Sequence, residues 1–200
     1  MTWLNISRNQ SFGGSGDYIK FYFEFADDMY AVIDPSGSSR YQVRKHIGAW
    51  ASPTDIWAET ATNLPVATSY IITGAAENTE QGRIYLANNA NGEVYTSTDL
   101  STWTTISAAF DDLAGAEANI QRIAYFNNKI YVSHKGGVSS YNEDEDEWEL
   151  EADFNEGFKG IGQCYDLHVL NNELYVTVVF GDFGAVYKSG ADNTSTEWTK

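Results

Sequence analysis

A single cysteine, Cys164, occurs in a chain of 200 residues. It excludes an intrachain disulfide, and its largely apolar neighbours predict an inert, buried thiol. Basic residues are also scarce, with 12 Lys and Arg against 28 Asp and Glu and a net charge of −16. Such a field repels phosphate backbones and anionic membrane surfaces, so no nucleic-acid partner is expected. The acidity reads as a solubility device, with a salt-adapted or calcium-rich setting as the alternative. No run approaches the ~18 apolar residues of a membrane span, so no membrane insertion is expected. The opening MTWLNISRNQSFGG has neither a basic n-region nor an apolar h-region and does not read as a secretory signal. Asn5-Ile6-Ser7, Asn9-Gln10-Ser11 and Asn193-Thr194-Ser195 then read as chance matches to the glycosylation pattern.

Motifs that carry chemistry are missing too. No glycine-rich phosphate loop leads a strand into a helix, and no serine sits in a nucleophile elbow. His46, His134 and His168 lack the short spacing of a zinc site. No cofactor and no metal is therefore expected, and a non-enzyme is favoured over an enzyme. Nor does any segment demand a helix; residues 108–118 are the one compatible stretch.

What is present is a beat. Trp3, Trp57, Trp103, Trp148 and Trp198 follow one another at intervals of 54, 46, 45 and 50 residues. Tyr30, Tyr85, Tyr131 and Tyr175 keep time with them at 55, 46 and 44. Two aromatic markers with one period mean an internal repeat, each copy a supersecondary unit that buries its apolar face against its neighbours. The repeat argues for one domain over residues 1–200, and a chain of this length buries roughly 70% of its unfolded surface.

Aligning on the tyrosines resolves four runs per unit, labelled A to D. The clearest copy begins at Asn119: NIQRIAYF, NN, KIYVSH, KGG, VSSYNE, DED, EWEL. Asn127-Asn128 suit the left-handed residues of a tight hairpin turn, Gly136-Gly137 make the next reversal, and Asp144 to Asp146 the third. In KIYVSH, Ile130 and Val132 point one way and Tyr131 and Ser133 the other. Asn171-Asn172 repeat the first turn in the last copy. The units run over about 18–60, 69–107, 119–150 and 164–200. Thr2-Trp3-Leu4-Asn5-Ile6 aligns with Thr102-Trp103-Thr104-Thr105-Ile106, so residues 1–7 read as an extra D-type strand.

Meanders of short strands with this period and a terminal tryptophan predict an all-β fold, a β-propeller of about four four-stranded antiparallel blades. A sandwich or lipocalin-like barrel would not need a marker every ~45 residues. Both chain ends supply a D-type strand. Either four blades close and Trp3 caps an edge, or the blades belong to a larger ring that a second copy or a neighbouring subunit completes.

The unit NNKIYVSHKGGVSSYNEDEDEWEL resembles a kelch-type repeat, with its hydrophobic B strand, glycine pair, tyrosine, acidic turn and tryptophan. Ser97-Thr98-Asp99-Leu100-Ser101-Thr102-Trp103 resembles the Asp-box of sialidase-like propellers, with Ser101 at the glycine of the box and a loop one residue shorter. Both resemblances imply a propeller. The Asp-box is a turn-stabilising element and implies fold, not catalysis. Sialidase-like enzymes use three arginines on a carboxylate, a tyrosine nucleophile with a glutamate, and an acid/base aspartate. Here the arginines are Arg8, Arg40, Arg44, Arg83 and Arg122, with no Arg-Ile-Pro motif, and Arg83 and Arg122 stand on different strands of their units.

The D–A and B–C connections project from one face. The D–A loops are read as Ser7–Asp17, Thr60–Ser69, Ser107–Ala118 and Glu151–Gln163. With the B–C turns they offer Phe12, Asp34, Arg40, Phe110, Asp111, Asp112, His134, Lys135, Phe154, Phe158, Asp182 and Phe183 as a candidate ligand-binding face. Aromatic rings beside carboxylates hold sugars by stacking and paired hydroxyl bonds. The competing reading is that these phenylalanines plug gaps between blades. Lys20, Tyr22, Glu24, Tyr70, Thr73, Gln121, Tyr125, Tyr165, Asp166 and His168 fall on A strands, and polar groups there line or hydrate a central channel. Asn142, Asp144, Asp146 and Asp153 have the spacing of a calcium loop, but Glu147 replaces its glycine, so a solvated turn is the better reading.

The function expected is a non-catalytic module that binds glycan or protein through its long-loop face. Export-like composition with a lone thiol fits a phage or viral particle component, so an extracellular or virion-surface location is expected, with the cytoplasm as the alternative. A sialidase-like glycoside hydrolase and a cytosolic kelch-like scaffold are the competing functions.

Overall fold

The computed structural model describes residues 18–35, 37–47, 56–67, 71–89, 92–106, 119–154, 163–189 and 198. Among them there are fifteen strands in four antiparallel sheets and no helix. The first sheet is β1 (Tyr18–Phe25), β2 (Asp28–Asp34), β3 (Arg40–Ile47) and β4 (Ile56–Ala67), hydrogen-bonded in that order. The second is β5 (Ile72–Asn78), β6 (Arg83–Asn88), β7 (Val94–Ser97) and β8 (Thr104–Thr105). The third is β9 (Ile120–Phe126), β10 (Lys129–His134), β11 (Gly137–Asn142) and β12 (Glu147–Asp153). The fourth is β13 (Gln163–Leu170), β14 (Glu173–Phe180) and β15 (Phe183–Lys188). These are propeller-like blades. Their first strands are neighbours in the series β1, β5, β9, β13.

Tight turns set the register. Asn127 and Asn128 take φ of 47° and 60°, and Asn171 and Asn172 take 51° and 60°, as the asparagine pairs predict. Ala26 and Asp27 occupy the same turn in the first sheet, at 51° and 63°. These left-handed conformations match the twist of the flanking strands, and asparagine tolerates them best.

The two aromatic markers have one physical cause. Along each B strand alternate side chains face opposite ways, and here both faces are covered. Tyr30, Tyr85 and Tyr131 face the following sheet, while Trp103, Trp148 and Trp198 face the preceding one. Each interface therefore pairs one of these tyrosines with one of these tryptophans. Tyr30 and Trp103 share a core with Val32, Leu86 and Tyr95; Tyr85 and Trp148 share one with Ile130 and Val132; Tyr131 and Trp198 share one with Leu174, Val176 and Val178. A buried Leu, Ile or Val contributes about 1.5–3 kcal/mol by leaving water, so these three interfaces hold the sheets together. A small further cluster, Ala31 and Ile33 with Ile19 and Met29, lies on the other face of the first sheet. No core cluster among the described residues joins the fourth sheet to the first.

Two expected boundaries move. β4 runs to Ala67 and β12 to Asp153, so the D–A connections after the first and third sheets are shorter than Thr60–Ser69 and Glu151–Gln163. Leu64 and Val66 are buried and draw the chain back against the sheet. Pro65 is tolerated between them because β4 is an edge strand. Residues 1–7 with Trp3, the side chain of Trp57, and residues 108–118 lie outside the described residues.

The turn at 97–103 is held by its own side chains. Ser97 Oγ accepts the N–H groups of Leu100 (2.9 Å) and Asp99 (3.3 Å). Asp99 Oδ1 accepts those of Ser101 and Thr102, both at 2.7 Å. Trp103 Nε1 donates to the Leu100 carbonyl at 3.2 Å, which fixes the indole as it enters the core. The N–H of Thr102, then that of Ser101, holds the Asp99 carboxyl below its usual range. A depressed carboxylate stabilises the fold above its unfolded pKa, about 3.9, and that stabilisation is lost as pH falls through the folded value. Thermal midpoints taken from neutral pH to about pH 3 should fall further for the parent than for Asp99→Asn. Parallel curves would show that the turn does not feel this charge.

Candidate functional site

Each inner strand carries one irregularity, always near its start. In β1 the pairing with β2 passes from Ile19 to Phe21 and leaves Lys20 without an opposite residue. The same slip skips Thr73 in β5, Gln121 in β9 and Tyr165 in β13. A bulge of this kind re-aims a side chain and bends the strand, and bulges concentrate beside functional sites. The residue before each skipped position faces a core: Ile72, Ile120 and Cys164 are buried and Ile19 packs against the first sheet.

Arg122 braces three of these four bulges. Its Nη1 donates to the carbonyls of Thr73 (3.1 Å) and Gln121 (2.8 Å), and its Nε stands 3.4 Å from Asp166 Oδ1, next to Tyr165. Bulges disrupt the ladder and leave backbone groups to be satisfied by other means; a guanidinium with five donors does this here.

Between the third and fourth sheets, at the bulged ends of β9 and β13, lies an open cleft of about 130 Å³ lined by Asn119, Gln121, Lys135, Gln163, Cys164 and Tyr165. Its volume is below the roughly 300–1,000 Å³ of pockets that bury a whole small molecule. Tyr165 is 49% exposed, and its hydroxyl donates to Gln163 Oε1 at 2.6 Å, which orients the phenol. Cys164 forms the apolar wall; burial pushes its thiol up to about 12, which leaves it protonated and inert.

Lys135 is placed by the turn between β10 and β11. It pairs with Gln163 across the sheets in an isolated antiparallel bridge. Phe154 N–H donates to the Gly136 carbonyl at 2.7 Å, and Gly136 supplies φ of 96°. Beneath lies the His134 ring, 2% exposed, with Nδ1 3.1 Å from the Lys135 carbonyl and Nε2 3.0 Å from Ser139 Oγ. A carbonyl only accepts, so Nδ1 carries the proton and Nε2 accepts from the serine. Burial lowers the His134 pKa, in keeping with that neutral form.

Of the candidate face residues that the structure describes, Lys135 alone lines the cleft, with His134 supporting its turn from below. His134 and Phe154 are not surface groups. Phe154 is 6% exposed and packs 4.9 Å from the Tyr187 ring and 6.2 Å from Trp198, so it plugs the space between the third and fourth sheets. Asp34 ends β2 in an ion pair with Lys20 at 3.0 Å. Arg40 opens β3 and is exposed. Asp182 sits in the β14–β15 turn, and Phe183, opening β15, is 79% exposed. These four stand at the loop-bearing end of their sheets but outside the cleft lining. Phe12, Phe110, Asp111, Asp112, Phe158 and Tyr70 lie outside the described residues.

The described arginines do not gather. Arg40 and Arg44 belong to β3, Arg83 opens β6 at the opposite end and pairs with Glu143 at 3.2 Å, and Arg122 holds carbonyls. In the acidic turn, Asn142 Oδ1 accepts the N–H of Asp144 at 3.1 Å, and Asp146 Oδ1 accepts the Tyr141 hydroxyl.

No protein-family profile matches the chain, and no curated protein sequence matches it. Solved structures do. The extracellular domain of the B. thetaiotaomicron one-component system BT4673 is similar at a TM-score of 0.62 and 13% identity, over 96% of this chain and 23% of that one. A second structure, of the extracellular domain of BT4673 as a hybrid two-component system, is similar at a TM-score of 0.57 and 10% identity, over 96% and 28%. This chain thus spans about a quarter of the length of those it resembles, and at such identity the likeness is one of fold.

Proposed function

We propose that the chain is a non-catalytic, extracellular ligand-binding module that takes carbohydrate in the cleft between β9 and β13. The observation that carries this reading is the lining: three carboxamides, an ammonium and a half-exposed phenol gathered at the bulged ends of β9 and β13. Carboxamides both donate and accept, as sugar hydroxyls do, and an exposed ring offers the stacking face. A rigid sheet end is a better platform than a loop for such a set. The described lining holds no nucleophile paired with a base, since the Cys164 thiol stays protonated and the His134 ring is turned to Lys135 and Ser139. Likeness to extracellular domains supports the location. The side-chain bonds of Ser97 and Asp99 support an Asp-box-like turn as part of the scaffold, and the shared cores support one domain over the whole chain.

Immobilised-glycan arrays followed by calorimetry test the reading. Saturable binding without hydrolysis is expected, and Tyr165→Ala should weaken it about tenfold, the equivalent of ~1.4 kcal/mol. Unchanged affinity in Tyr165→Ala would remove the cleft from the function. A protein ligand is the second reading, favoured by Phe183, a large apolar side chain 79% exposed at the loop-bearing end of the fourth sheet.

A further inference from the structure

We infer that the outer face of the fourth sheet, turned away from the third, is the docking surface for a fifth blade of this same repeat. The blade would sit there as the second, third and fourth sheets sit on their predecessors.

The strand register gives this face the pattern of the three faces already covered. Tyr175 in β14 stands where Tyr30, Tyr85 and Tyr131 stand in β2, β6 and β10. Two residues further on, the partner from the third strand is a valine in all four sheets. Val43 opposes Val32, Val94 opposes Ala87, Val138 opposes Ser133, and Val186 opposes Thr177. The first three valines are at most 2% exposed and lie in the cores between sheets, whereas Val186 is 55% exposed. On the inner strand, Leu170 takes the place of Phe25, Asn78 and Phe126. Those three are buried, and Leu170 is 53% exposed. The rim repeats as well. Lys45, opposite Tyr30, pairs with Asp28, and Lys188, opposite Tyr175, pairs with Glu173 at 2.8 Å. One position departs: exposed His168 opposes Tyr175, where Phe23, Ala76 and Ala124 oppose the other tyrosines.

An end repeat built to face water carries a polar outer surface. Here the valine and the leucine keep the interface pattern, and neighbouring exposed apolar side chains mark an association surface. In this molecule every other face of that pattern is covered by the next sheet, so the continuity of three interfaces names the occupant. The four described sheets do not supply it. The second, third and fourth are each seated on a predecessor, and on the other side of the first sheet Ala31 and Ile33 are already 0% exposed. That burial equally opposes closure by the first sheet of a second copy. The fifth blade must offer what the fourth offers the third: an aliphatic strand like Leu174, Val176 and Val178, and an indole like Trp198.

The test compares the 200-residue chain with a tandem form in which residues 107–154, the third unit with its leading connection, are fused after Lys200. The tandem form should melt ~4 °C or more above the parent, and amide exchange in β14 and β15 should slow to the level of β10 and β11. Val186→Lys should remove both gains, yet leave the parent's midpoint in place, because nothing covers that valine there. Trp148→Ala in the appended copy alone should remove most of the gain. Sedimentation should show the parent as a monomer. No gain in the tandem form, a gain that survives Val186→Lys, or a parent destabilised by Val186→Lys overturns the inference. So does a concentration-dependent dimer of the parent that Val186→Lys dissolves, since the occupant is then a second copy.

Discussion

Replacing Trp148 by alanine is expected to cost about 3–5 kcal/mol of folding stability, the range for removing a large buried aromatic. The indole is 9% exposed and sits 5.2 Å from the Tyr141 ring, at the interface where the second sheet meets the third. Its loss leaves a void lined by Tyr85, Ile130 and Tyr141 side chains that belong to two sheets, and neither sheet can collapse into the void without pulling on the other. Denaturant titration should show a lower midpoint with an unchanged slope. Trp148 is the second residue of β12, at the opposite end from the cleft, so the folded variant should keep its ligand affinity. A cost below about 1 kcal/mol, the level of ordinary surface changes, would mean that the indole does not join the sheets.

Gly137→Ala is expected to destabilise by about 3 kcal/mol, the upper part of the range for overpacking. It should also damage the site. A Cβ at this position would stand 2.3 Å from the Ala152 carbonyl oxygen, 3.1 Å from His134 Cε1 and 3.2 Å from Leu150 Cδ1. The first of these is backbone, and it can yield only by opening the pairing of β11 with β12. The second is the ring beneath Lys135. Calorimetry on the folded fraction should therefore report weaker binding as well as a lower denaturation midpoint, a combination that Trp148→Ala does not produce. A variant with parental stability would show that β12 moves freely at this end.

The two substitutions also mark what the sequence made readable. Strand identity, turn positions and the rhythm of the aromatics follow from local rules. Asparagine pairs accept the left-handed turns that other residues resist, and alternation in a run such as KIYVSH assigns its two faces. The full length of β4 escapes those rules, because Pro65 and the polar residues before it read as a loop, and only the burial of Leu64 and Val66 against the neighbouring strands makes them strand. The cleft escaped for a different cause. A bulge inserts one residue of any type and needs no glycine to mark it. Its trace is an apolar spacing of three within a strand, as in Ile120 and Ile123 or Cys164 and Leu167, which breaks the period of two. Gln121 and Tyr165 were visible as A-strand polar residues, but nothing in their own positions told that the slip would bring them to one hollow. Phe154 shows the converse. An aromatic that follows the strand-end tryptophan looks like a ligand contact in sequence, yet its neighbours Tyr187 and Trp198 lie more than thirty residues further along the chain.

The slip repeats in every inner strand, yet the residue it displaces is different each time: lysine, threonine, glutamine and tyrosine. The ladder skips these four side chains, so the backbone pairing does not depend on which residue stands there, although Lys20 is also tied to Asp34. Two of the four, Gln121 and Tyr165, line the cleft, so under the proposed function its taste can change at these two addresses while the frame that carries them need not be rebuilt.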